Sequence, residues 1–211
     1  MLKIIWNMGE DRLIFRASSV TGYQFSSFVE AIYQLYSEGP DGHNCSHRPG
    51  NTKVFTLPDR DSSLREDEVR VKTSFDWDGE GPYYTVVFDR KCKNWNYPVD
   101  GEDLIEISIT STRRDPYTCT VDGHDLCYAV AKAYTKAIKT YGFYGYYSST
   151  GGNCNGFGDT IDLHKILFIK AYALNAMEAR RLKTVWKAVG RWEEAEGTSF
   201  DKELELLLFD M

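Results

Sequence analysis

Between Val69 and Trp77 the chain alternates without a break: Val69, Val71, Thr73, Phe75 and Trp77 stand against Arg70, Lys72, Ser74 and Asp76. A period of two is the signature of a strand with one face on a core and the other in water. Tyr83 to Phe88 and Leu104 to Thr110 continue in the same way, the second alternating Ile105, Ile107 and Ile109 with Glu106 and Ser108. Three sequential strands with short links predict an antiparallel meander. Earlier in the chain, Leu2 to Trp6 and Leu13 to Arg16 flank Met8-Gly9-Glu10-Asp11, which predicts an opening β-hairpin. Phe25, Phe28, Val29, Ile32, Leu35 and Tyr36 then recur at helical spacing until Gly39-Pro40, which predicts one amphipathic helix lying on the sheet. Residues 39 to 68 are rich in Gly, Pro, Asp, Ser and Arg, and read as a long loop with at most one short strand at Val54, Phe55 and Leu57.

After Asp122 the period lengthens. Leu126, Cys127, Val130, Ala131, Tyr134, Ala137, Ile138 and Tyr141 line one side of a helix, and Gly142 is a natural stop. A segment dense in Gly and Tyr follows, read as a loop, before Asp159 or Thr160 caps a helix bearing Leu163, Ile166, Leu167, Ile169 and Leu174. Residues 177 to 191 are basic and extend the helical pattern. Ser199 is placed to cap a last helix through Leu208, although Leu204 to Phe209 also reads as a strand. Strands first and helices later predict an α+β fold, an antiparallel meander with helices packed mainly on one face, in a single domain spanning 1–211.

Composition narrows the classes of function. At 42% hydrophobic the chain can bury a core without disulfides or metal, and its five widely spaced cysteines suggest reduced thiols. No apolar run reaches the length of a membrane span, and Lys3 and Glu10 interrupt the beginning, so a cytoplasmic chain with no membrane partner is expected. The net charge of −6 equals that of residues 192 to 211 alone, where Glu193, Glu194, Glu196, Asp201, Glu203, Glu205 and Asp210 face only Lys202. A balanced body with an acidic end argues against nucleic acid and allows steering of a basic partner, with plain solubility as the equal alternative.

The richest segment is FDWDGEGPYY, residues 75 to 84, which sets Asp76, Asp78 and Glu80 among large aromatic rings at a turn between strands. Carboxylates with no nucleophile beside them suit a grip on a cationic surface, and Trp77 is either a core residue or an anchor for that partner. Glycosidase-type chemistry would need a carboxyl withdrawn from water, which the polar face of a strand does not provide. Tyr144, Tyr146 and Tyr147, set among glycines, offer contact area at low side-chain entropy cost, or else fold inward over the core. The same glycines tempt a dinucleotide reading, but they join helix to helix instead of strand to helix. His43, Cys45 and His47 are clustered metal-type ligands lacking the distant second couple of a zinc site. His124 and Cys127 resemble a Cys and His pair, yet Cys127 falls on the apolar stripe, where a thiol is usually inert. His164 reads as a partly buried histidine. No cofactor, metal or catalytic group is expected, and the oligomeric state is left open.

At WDGEG followed by YYTVVFDR, and again at GYYSSTGG leading through Asp159 into IDLHKILFIKAYAL, the chain resembles small cytosolic bacterial immunity proteins of toxin and immunity systems. The resemblance covers roughly residues 70 to 175. It implies an acidic single-domain inhibitor that binds a cognate toxin, often a nuclease, with no catalysis of its own. The contact residues expected from the charge and ring pattern itself, and not from the resemblance, are Asp76, Trp77, Asp78 and Glu80, helped by Tyr144, Tyr146 and Tyr147 if the two loops converge.

Overall fold

The computed structural model describes residues 3–8, 11–16, 24–37, 53–56, 68–78, 82–93, 97–98, 102–149, 163–174 and 199–211. Its elements are β1 (Lys3–Met8), β2 (Asp11–Arg16), α1 (Gln24–Ser37), β3 (Lys53–Thr56), β4 (Glu68–Asp78), β5 (Tyr83–Lys93), β6 (Tyr97–Pro98), β7 (Leu104–Ser111), β8 (Arg114–Asp122), α2 (Gly123–Ser149), α3 (Leu163–Leu174) and α4 (Phe200–Leu208). The fold is α+β.

The sheet is antiparallel throughout, in the order β3-β4-β5-β7-β8, with β6 pairing β5 off that path. Its register sorts the side chains. Val71, Thr73, Phe75 and Trp77 stand opposite Arg90, Phe88, Val86 and Tyr84, and these in turn meet Ile105, Ile107 and Ile109. All of them are buried, so one face of the sheet is the floor of the core. The opposite face carries Arg70, Lys72, Asp76, Asp89 and Ser108; there Asp89 accepts from Arg70 and pairs with Lys72 at 3.0 Å.

The expected hairpin forms, with β1 pairing β2 from Lys3↔Arg16 to Met8↔Asp11. Trp6 packs edge-on to Phe28 and tilted on Phe88, which carries the hairpin onto the core. The helix expected to lie half-exposed on the sheet is instead enclosed. In α1 the polar Gln24, Ser27 and Gln34 are buried along with its apolar residues, because the sheet holds one side and α3 another. Hydrogen bonds from three directions fix it: Thr73 donates to the Ala31 carbonyl at 2.9 Å, Tyr134 to that of Phe25 at 3.2 Å, and Arg90 to that of Leu35 at 3.1 Å.

Two strands were not anticipated, the two-residue β6 and the longer β8. β8 pairs with β7 from Leu104↔Asp122 to Ser111↔Arg114, with a register shift between Ile109 and Ser111. It lies at the end of the sheet order, where its Pro116 interrupts no central ladder. Asp122 then caps α2, its Oδ1 accepting from the Asp125 amide at 3.0 Å. Gly142 breaks the helix as expected, at φ 66°, a conformation that favours glycine, but helical structure resumes through Ser149. Tyr144, Tyr146 and Tyr147 therefore sit on a second helical segment and not in a loop. Ser199 caps α4 by accepting from the Lys202 amide, so the helical alternative for this stretch is the one adopted. The basic stretch 177–191 lies outside the described residues.

Candidate functional site

The β4–β5 hairpin turns Phe75 and Trp77 to one face and Asp76 to the other. Phe75 and Trp77 point into the core, where Trp77 packs edge-on to Phe25 at 5.2 Å between centroids. At 0% exposure Trp77 is a core residue, which corrects its expected role as a partner anchor: strand parity places it on the inward face. Asp76 takes the outward parity, half-buried, and accepts from Thr85 across the strand pair at 2.7 Å. Asp78 pairs with the exposed Tyr83 where β4 and β5 approach their connecting turn. Glu80 lies outside the described residues, as do the side chains of Asp78, Tyr144, Tyr146 and Tyr147. Asp76 and Asp78 thus share one strand of the hairpin, while nothing described brings the Tyr144 segment to it.

The densest chemistry lies elsewhere, beneath the sheet, and sequence reasoning missed it. Arg90 and Asp103 form an ion pair, Nε to Oδ1 at 2.7 Å, with side chains 1% and 3% exposed. Asp103 Oδ2 accepts from the Tyr36 hydroxyl at 2.9 Å and also from the Tyr172 hydroxyl. The Asp103 carbonyl accepts from the Gly123 amide at 2.6 Å. The guanidinium lies 4.3 Å over the Tyr36 ring, and Tyr36 in turn packs on Tyr172. Side chains from α1, β5 and α3 meet on this carboxylate, and α2 meets the same residue through its backbone carbonyl.

A buried ion pair survives only where its remaining hydrogen-bonding capacity is met, and here both carboxylate oxygens are occupied. Burial pushes the Tyr36 and Tyr172 hydroxyls well up, with Asp103 adding to both, so they stay protonated and keep donating. A signal existed in the sequence: Arg90 occupies an inward position in the run Tyr84, Val86, Phe88, Arg90, where an apolar residue is the rule.

Cys127 is fully buried beside this cluster, and burial, helped by Asp103, raises its thiol far above the usual range. The thiolate that nucleophilic chemistry requires is therefore suppressed. His124, exposed in the first turn of α2, stacks on Tyr172 with 4.5 Å between centroids. His164 meets Tyr33 edge-on and is half-buried, as its apolar neighbours suggested.

A second buried cation was also missed. Lys170 is enclosed in the apolar run of α3 and donates to Thr135 Oγ1 at 2.9 Å and to the carbonyls of Leu207 at 3.0 Å and Phe209 at 2.5 Å. It grips the end of α4 where helical carbonyls lack partners of their own. Burial, followed by the nearby Lys139, lowers its pKa to about 8, while Asp210 acts in the opposite sense. Lys139 meanwhile pairs with Asp210 at 2.5 Å and holds that carboxyl below its ordinary value.

Among the described residues no group of His, Cys, Asp and Glu is arranged to hold a metal, and His43, Cys45 and His47 lie outside them. Among the same residues no helix is long and apolar enough to cross a membrane. No protein family, curated protein or solved structure matches the chain.

Proposed function

We propose that this chain is a cytoplasmic binding protein that neutralises a basic macromolecule by contact, in the manner of an immunity protein against a cognate toxin, and that it catalyses no reaction. The observation that carries this reading is the sorting within the β4–β5 hairpin. Phe75 and Trp77 lock the strand into the core, which holds Asp76 outward, with Asp78 and Glu80 at the hairpin's end. Charges on a strand fixed in this way are pre-organised, so less entropy is lost when a cationic surface is bound. Such charges chiefly raise the rate of encounter and make it sensitive to salt. The reading is further supported by Cys127, whose burial favours the protonated thiol and so counts against a Cys and His catalytic pair.

Co-expression with the product of the adjacent reading frame tests the proposal. The expected result is a stable complex and relief of that product's toxicity, both lost in an Asp76→Lys/Asp78→Lys variant that still folds. A folded variant that protects as well as the parent overturns the site. Absence of any complex or protection overturns the function.

A further inference from the structure

Helix α4 turns one apolar edge to the core and leaves an adjoining apolar row uncovered. Leu207 is buried, and Leu206 and Met211 pack against the core. Phe200, Leu204 and Leu208 recur every fourth residue, which aligns them along a single stripe. They are 77%, 38% and 47% exposed, and none belongs to the core or to the residues packed on it.

The charges beside the stripe are of one sign. Asp201 and Glu205, themselves four apart and exposed, run alongside it. Lys202 falls on the far side of the helix at 3.6 residues per turn. The platform is anchored at both ends: Ser199 caps the start, while Lys170 holds the Leu207 and Phe209 carbonyls at the finish. A stripe so fixed is not a fraying terminus, and apolar rows of this kind rimmed by charge mark interaction surfaces.

We infer that the outer face of α4 is a docking surface for a cationic amphipathic helix of a partner protein, whose leucine-like residues cover Phe200, Leu204 and Leu208 while its lysines or arginines meet Asp201 and Glu205. This deepens the proposed function by adding a second surface for a basic partner, but its evidence is confined to α4. It can fail while the hairpin reading stands, because its test requires no cognate partner.

The probe is a short synthetic leucine and lysine helix titrated into the full-length protein, followed by amide chemical shifts. Saturable binding is expected, with the shifts concentrated at residues 199–211, and a scrambled peptide of the same composition should bind far less. Leu204→Asn, which leaves every charge in place, should weaken binding about tenfold, the effect of truncating a central apolar anchor. Glu205→Lys, which leaves the stripe intact, should weaken it comparably and flatten its salt dependence. Should Leu204→Asn fail to fold, Glu205→Lys decides alone. Equal binding of the scrambled peptide, or unchanged affinity in a folded variant, overturns the inference. Self-association of the chain abolished by Leu204→Asn would assign the stripe to a second copy, and shifts at α4 on adding phosphatidylcholine vesicles would assign it to a lipid surface; either overturns it.

Discussion

Replacing Asp103 by leucine should come close to unfolding the protein. The substitution leaves the Arg90 guanidinium, 1% exposed, without its counter-charge, and breaking one side of a buried ion pair costs about 3–5 kcal/mol. The Tyr36 and Tyr172 hydroxyls lose their shared acceptor as well, and each buried donor left unpaired costs about 1–3 kcal/mol. Part of this overlaps, because the same relaxation or water entry can relieve several groups. A loss of about 4 kcal/mol or more is nevertheless expected, against a total stability of about 5–15 kcal/mol for a typical domain. Urea unfolding followed by tryptophan fluorescence measures it, since Trp6 and Trp77 both pack on the core around the sheet. The companion is Arg90→Met/Asp103→Leu. With both charges gone the desolvation cost disappears, so the double variant should recover at least half of the single variant's loss. A single variant that loses less than about 1 kcal/mol, or a double variant no more stable than the single, would refute the claim that this pair is a closed, interdependent unit.

Three further outcomes follow from the same geometry. Gly123→Ala should destabilise by about 1–3 kcal/mol in thermal melts, because the added Cβ would lie 2.3 Å from both Asp103 Oδ2 and the Tyr36 hydroxyl; an unchanged melting temperature contradicts the packing. Lys170 should give the protein a distinctive alkaline response: folded it releases its proton near pH 8, unfolded near 10.5, so between these values unfolding takes up a proton and rising pH favours the folded state. Stability relative to Lys170→Met should accordingly rise from pH 8 to 10 and fall again as pH drops through 8, and a constant difference across that window would refute the lowered pKa. Cys127 should resist alkylation in the native protein at pH 8 and react once urea unfolds it, whereas rapid native labelling would reopen the catalytic alternative.

What could be read from the sequence and what could not divides along physical lines. The alternation of Val69 to Trp77, the long period from Leu126 to Tyr141, the break at Gly142 and the Ser199 cap are local signals, and local signals mark elements that form much as expected. β8 escaped because its early residues, Arg114, Asp115 and Pro116, resemble a turn, and only Tyr117, Cys119 and Val121 alternate behind them, half-buried at the edge of the sheet. The enclosure of α1 escaped because Gln24, Ser27 and Gln34 imitate a solvated face; only the arrival of α3 from far along the chain buries it. The Asp103 cluster was missed for the same reason, since its members meet across separations of 13 to 69 residues and only the inward position of Arg90 hinted at it. In the candidate site, strand parity was enough to place Asp76 outward, and it also placed Trp77 inward, so the ring left open as either core or anchor belongs to the core.

The proposed grip on a basic partner rests on Asp76 and Asp78 of the β4–β5 hairpin. Capture from native cytosol on the immobilised full-length chain, wild type beside Asp76→Lys/Asp78→Lys, with elution by a salt gradient and sequencing of what elutes, tests it. The expected result is one predominant basic protein, retained by the wild type at low salt, released as salt rises and absent from the variant. Retention of the same protein by both chains, indifferent to salt, would contradict it.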